Sequence, residues 1–253
     1  MSDEWEFYFT GVNDKLASIL VDVGIYEQVP DPERPWLLRV WVFFESVDEH
    51  GLPSGEEAEE FSVVEDTLTE AMSDALDAVL AGRMTIDGRR EFFFYANSFA
   101  GFEDAVARCL SSYPKYEWDT ETENDSEWNH YVGLLYPSPG DWQQIQNRQV
   151  IEQLVNNGDT LEKKRVVSHW AYFPNTAARD QFVVAVQQKG FEVTEQSTDD
   201  TPEQENPLGV GFERVDHVDW ESINAVTLEL FELAASLSGN YDGWETTVET
   251  SPD

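Results

Sequence analysis

The most restrictive feature of this chain is the alternation of extended and helical patterns between residues 166 and 249. VVSHWAYF (166–173) alternates like a strand, and Asn175 or Thr176 can then cap a helix carrying Phe182, Ala185 and Val186 that stops at Gly190. FEVTEQS (191–197) and LGVGFERV (208–215) are the next strands, separated by the polar loop TDDTPEQENP (198–207). Asp219 caps a second helix with Ile223, Val226, Leu230, Leu233, Ala234 and Leu237 on one face, ending at Gly239, and YDGWETTVE (241–249) closes as a strand. The order βαββαβ specifies a ferredoxin-like split unit, a mainly antiparallel sheet with helices on one face.

The first half repeats the scheme without repeating the residues. Residues 36–44 (WLLRVWVFF) are apolar on both alternating faces except at Arg39, the pattern of a central strand covered on both sides. From 57 to 80, Phe61, Val64, Leu68, Met72, Ala75, Leu76 and Val79 recur at helical spacing. MTI (84–86) and RREFFFYA (89–96) flank Asp87-Gly88, the strongest short hairpin signal a sequence offers. A helix over 101–111 and a last strand in KYEWDTET (115–122) follow, and two strand-like runs at 5–10 and 15–22 precede the whole. The fold expected is therefore α+β, as two ferredoxin-like sandwich domains. Residues 124–144 are turn-rich, with Pro137 and Pro139 bracketing Ser138, so the domains are expected at 1–137 and 138–253. A leading helix over about 141–155, ended by Asn157-Gly158, opens the second.

Acid dominates the charge. The 253 residues hold 51 Asp+Glu against 15 Lys+Arg, a net −36. Binding phosphates takes clustered Lys and Arg, so direct contact with nucleic acid or an anionic membrane is excluded. With 41% hydrophobic and 13% aromatic residues the chain is too apolar for a disordered acidic tail. One cysteine, Cys109, leaves no intrachain disulfide, and its place on an apolar helix face marks a packing residue. The start MSDEWEFYF is no secretory leader, and no apolar run approaches the roughly 18 residues of a membrane helix, so the expected location is cytoplasmic. Three readings of the acid stay open: a solvated, salt-adapted surface, a steering surface for a basic partner, or a mimic of a nucleic-acid backbone.

Beyond these patterns, NRQVIEQLVNNGDTLEKKRVVSHWAYFPNTAARDQF (147–182), GFEV (190–193) and GNYDGWET (239–246) resemble the family of regulator of ribonuclease E activity B. That family closes on Tyr-Asp-Gly-Trp, here Tyr241, Asp242, Gly243 and Trp244. WEFYF (5–9), RPWLLRVWV (34–42), DGRREFFFYA (87–96) and LYPSPGDWQ (135–143) resemble a DUF695-like family, a domain of unknown function. The resemblance implies a cytosolic bacterial regulator that binds ribonuclease E, the endonuclease that starts RNA decay, and lowers its activity.

Catalytic signatures are missing. His50, His130, His169 and His217 form no HxH, HExxH or CxxC-type set, and no GxGxxG, P-loop or GxSxG occurs. Acid pairs such as Asp199-Asp200 carry no weight among 51 acids. No catalytic residue, metal ligand or cofactor is expected, and His169 is read as a structural histidine. The expected partner is a basic protein, ribonuclease E or another nuclease, with an immunity-type inhibitor and an uncharacterised enzyme as alternatives.

For docking, the candidates are Trp170, Tyr172 and Phe173 on the first strand of the second domain, and Tyr241, Asp242, Gly243 and Trp244 on the last. The first and last strands are not expected to be neighbours, so these form two patches. The aromatics either fill the core or stand on the sheet face left open by the helices. Trp170 and Trp244 are the choices for that face, and Asp242-Gly243 is open to reading as a bulge.

Overall fold

Asp87 and Gly88 both take positive φ, 52° and 79°, and so make the two-residue turn that suits the twist of a hairpin. They join β4 (Val79–Ile86) to β5 (Arg89–Ala96), with Ile86 opposite Arg89. Asn13 and Asp14, at 51° and 62°, do the same between β1 (Trp5–Val12) and β2 (Lys15–Asp22). The computed structural model describes residues 2, 4–48, 51–53, 55–199 and 205–250. His50 and Asp200, and part of the 198–207 loop, lie outside the described residues.

Contacts divide the chain into two units, Met1–Pro137 and Ser138–Asp253. Among the described residues of the first, β3 (Trp36–Phe43) and β6 (Trp118–Asn124) complete a sheet ordered β1-β2-β4-β5-β3-β6, antiparallel throughout. α1 (Glu56–Leu76) and α2 (Phe102–Leu110) are the crossovers. Phe61, Val64, Leu68 and Met72 of α1 and Phe102, Val106 and Leu110 of α2 bury against Leu38, Val40, Val42, Phe92 and Phe94 of the sheet. Without the first hairpin, β3-α1-β4-β5-α2-β6 is a βαββαβ unit.

Two details of this unit depart from expectation. The helix expected to reach residue 80 ends at Leu76, and Val79 and Leu80 belong to β4. Asp77 takes a left-handed φ of 49° and its N–H returns to the carbonyls of Met72 and Ser73, which closes the helix without a glycine. Nor is β3 covered evenly on both faces. On the face away from the helices Leu37 is buried, but Trp41 is only partly buried and Phe43 is exposed. Arg39, which pairs with Glu121, lies over the Trp41 ring at 5.0 Å, so the strand's second face is finished by an amphipathic stack. Further along the same face Trp128 stacks on Tyr95 at 3.7 Å, and buried Asp125 accepts the Tyr95 hydroxyl at 2.8 Å.

The second unit begins with α3 (Pro139–Asn156), whose N-terminus is closed by a capping box between Ser138 and Asp141. It continues through β7 (Arg165–Phe173), α4 (Thr176–Gln188), β8 (Glu192–Thr198), β9 (Leu208–Asp216), α5 (Trp220–Ser236) and β10 (Asn240–Thr246). Asn175 and Asp219 cap α4 and α5 by accepting the N–H groups of Ala178 and Ser222. The described strands form one antiparallel sheet, β10-β7-β9-β8.

That order corrects the expectation that the first and last strands lie apart. β7 and β10 are direct neighbours, with Trp170 opposite Gly243 and His169 opposite Trp244. Each crossover helix carries the chain past one strand: α4 leaves a gap that β9 fills, and α5 returns over β7 to set β10 on its far side. The first unit obeys the same rule, with β6 beside β3. Among the described residues of the chain no helix is long and apolar enough to cross a membrane.

Candidate functional site

Strand alternation sorts the residues of β7 onto two faces. Val167, His169, Ala171 and Phe173 point into the core, whereas Val166, Ser168, Trp170 and Tyr172 stand on the opposite face, partly buried or exposed. Opposite Trp170 and Tyr172 on β9 are Gly211 and Gly209. A Cβ at Gly209 would lie 2.4 Å from Ser197 Oγ and 3.1 Å from Tyr172 Cε1. One at Gly211 would sit 3.5 Å from Trp170 Nε1. Tyr172 thus leans across β9 into space that glycine leaves, Trp170 lies at contact distance over Gly211, and the LGVG run is a floor for both.

Carboxylates surround this pair. Glu195 on β8 faces Gly211 across the ladder, while Asp242 and Glu245 are exposed on β10. A groove of about 800 Å³ at the Tyr172 end is lined in part by Asp199, Glu205, Asn240 and Asp242, with no Lys or Arg among its described lining residues. The Tyr172 hydroxyl is held above its ordinary range, first by burial and then by Asp242, Glu195 and Asp199. Such a surface, aromatic in the middle and anionic around it, can hold a guanidinium or ammonium by ring stacking and charge pairing together.

The closing Tyr-Asp-Gly-Trp does something else. Pairing slips between Tyr241 and Gly243, and Gly243 has a φ of 131°, a bulge that needs glycine. The extra residue turns Tyr241 and Trp244, three apart, to the same inner face and leaves Asp242 outside. This corrects the choice of Trp244 for the open face. Its Nε1 donates to Asn147 Oδ1 at 2.8 Å, and fully buried Asn147 donates in turn to Asn224 at 2.7 Å and Thr227 at 2.6 Å. Trp244 therefore fastens α3 to β10 and α5.

Tyr241 and Phe173 are interior as well. The Tyr241 hydroxyl lies 2.8 Å from His169 Nδ1, and His169 sits among Phe191, Phe212 and Tyr241. Burial, helped by Arg214, pushes its imidazole down to about 3. Asp159, from the Asn-Gly-Asp segment after α3, is buried in a two-pronged pair with Arg165 and also accepts the N–H of Leu161 and Glu249, each at 2.7 Å. Among the described residues no group of three His, Cys, Asp or Glu could hold a metal ion.

The comparisons with known proteins bear on both units. Residues 3–136, more than half of the chain, match the model of the "Family of unknown function (DUF695)". The chain belongs to that DUF695 family. Residues 144–246 match the model "Regulator of ribonuclease activity B", so this DUF695 protein carries an RraB domain in its second unit. No curated protein matches it. A crystal structure of an unknown protein from Galdieria sulphuraria is similar at 12% identity and a TM-score of 0.25, covering 85% of this chain and 100% of that one. At that TM-score it carries no argument about the fold.

Of the seven candidate residues of this DUF695 protein, Trp170, Tyr172 and Asp242 come together on the open face of the RraB domain, Gly243 makes the bulge beside them, and Phe173, Tyr241 and Trp244 lie inside. Glu195 and the glycine floor were missed. The signal for the floor was present, since glycines two apart in LGVG mirror aromatics two apart in WAY.

Proposed function

We propose that this chain is a non-catalytic cytoplasmic regulator that restrains a ribonuclease of the ribonuclease E type by holding one of its basic segments on the open face of the RraB domain. The observation that carries this reading is the Trp170–Tyr172 pair on its glycine floor, ringed by Glu195, Asp242, Asp199 and Glu205. RNA-handling segments of nucleases are rich in Arg and Lys, and Arg both stacks on aromatic rings and pairs with carboxylates. A net charge of −36 would steer such a partner in from a distance at low salt. The chain's own part is to occupy the segment, so RNA is excluded by competition and no bond is made or broken.

The test is a cleavage assay with ribonuclease E and a labelled RNA. The wild-type chain is expected to slow cleavage at low salt, with the effect fading as salt rises. The double variant Trp170→Ala, Tyr172→Ala, with an unchanged fold, is expected to lose about tenfold or more in apparent affinity. Full inhibition by the double variant, or inhibition indifferent to salt, would rule this face out.

A further inference from the structure

The first unit carries a groove of its own, and nothing about it depends on the reading above. Among the described residues the sheet there has six strands but only α1 and α2 on its helical face. The added strands β1 and β2 widen the sheet by about 10 Å, since strands sit about 4.8 Å apart, and that is the diameter of one more helix. Beside α1 no further helix of the described residues completes the layer, and a groove of about 470 Å³ occupies the place. Its floor is Trp5, Leu20 and Leu80. Leu16, farther along β2 on the same face, is 39% exposed.

The wall of the groove is the flank of α1. Asp66, Glu70 and Asp74 line it at four-residue spacing, all exposed, and none is in an ion pair among the described residues. This wall is anchored: Glu65 pairs with Arg83 at 2.6 Å and with Arg90 at 2.8 Å, both on the sheet. We propose that the groove receives a cationic amphipathic helix of a partner protein, apolar side against Trp5, Leu20 and Leu80, with Lys or Arg along Asp66, Glu70 and Asp74. A helix fits where a strand does not, because the vacancy lies above the sheet and not at its edge. A strand added to the outer edge of β1 would leave the floor uncovered. Residues 66 to 74 span about 12 Å of axis, so two to three turns of the occupant face the carboxylates.

The probe is a fluorescent amphipathic Leu/Lys helix of about 18 residues, compared with a scrambled peptide of the same composition, on the full-length chain. The amphipathic peptide is expected to bind about tenfold more tightly than the scramble and to move the Trp5 indole resonance in an NMR titration. The triple variant Asp66→Asn, Glu70→Gln, Asp74→Asn is expected to remove that preference. A control triple on the other unit, Glu152→Gln, Glu221→Gln, Glu232→Gln, is expected to keep it. Equal binding of the two peptides, equal loss in the two triples, or a stationary Trp5 signal would each overturn the proposal. The variant Trp170→Ala, Tyr172→Ala is expected to keep the preference for the amphipathic peptide over the scramble, so failure at the open face of the RraB domain leaves this result standing.

Discussion

The two units share one strand order and use it differently. In each, a βαββαβ path sets the last strand beside the first and packs helices on one face. In the first unit the opposite face is closed over most of its width: Ile19, Val21, Leu37, Phe93 and Tyr95 have no exposure at all, while Trp41 is partly buried and Phe43 exposed at one end of β3. In the second, that face carries Val166 exposed and Trp170 and Tyr172 partly so, within a frame of carboxylates. The same topology therefore yields a buried second layer in one case and a surface able to bind in the other, and only the side chains on the far face decide which.

The sharpest way to test this is inside the second unit, where two tryptophans stand across neighbouring strands on opposite faces. Trp244→Ala would leave a cavity under α3 and take a partner from buried Asn147, with an expected loss of about 3–5 kcal/mol. Trp170→Ala, on the open face, is expected to lose about 1 kcal/mol or less. Urea unfolding of both variants measures the difference. Similar losses would mean that the open face is packed like the inner one.

Next in size is a pH effect that belongs to the second unit's core alone. His169 has its proton affinity lowered to about 3 in the fold against an ordinary 6.5. The unfolded chain takes up a proton on this ring below 6.5 while the folded one does not until about 3, so stability is full above 6.5 and drains away as pH falls through that window. At pH 4.5 the loss is about 3 kcal/mol, from two pH units at about 1.4 each. Carboxylates contribute equally in wild type and His169→Gln, so the gap in stability between them is expected to shrink by about that amount from pH 7 to pH 4.5. A gap independent of pH would mean that folding does not lower the proton affinity of this ring.

The sequence disclosed the elements because local periodicity sets them: the Asp87-Gly88 turn, the Asn175 and Asp219 caps and the amphipathic faces are short-range facts. What it concealed was non-local or atypical. Asp77 ends α1 in a left-handed conformation usually left to glycine, so the apolar run that continues through Val79 read as more helix. The adjacency of β7 and β10 depends on where a crossover lands. A single bulge at Asp242 then reverses the facing of everything after it, which is why Trp244 was assigned to the wrong side. Trp170 was legible as an aromatic of the open face, but Tyr172 and Glu195 join it only through the β8–β9 and β9–β7 ladders.

The smallest effect concerns glycine, and it separates the regions again. Gly239 sits where α5 turns into β10; a Cβ there would lie 2.4 Å from the Phe173 ring and 2.8 Å from the Tyr172 carbonyl oxygen. Backbone cannot yield cheaply, so Gly239→Ala is expected to lose about 1–3 kcal/mol. In the first unit Gly11, next to last in β1, has nothing within 4 Å of where its Cβ would be and is not among the positive-φ glycines, so Gly11→Ala is expected to change stability by no more than about 0.5 kcal/mol. Thermal unfolding of the two variants decides the point. If Gly239→Ala matched Gly11→Ala, Phe173 would have room to move, and the close approach of β10 to β7 that holds Tyr172 against its glycine floor would be looser than the distances imply.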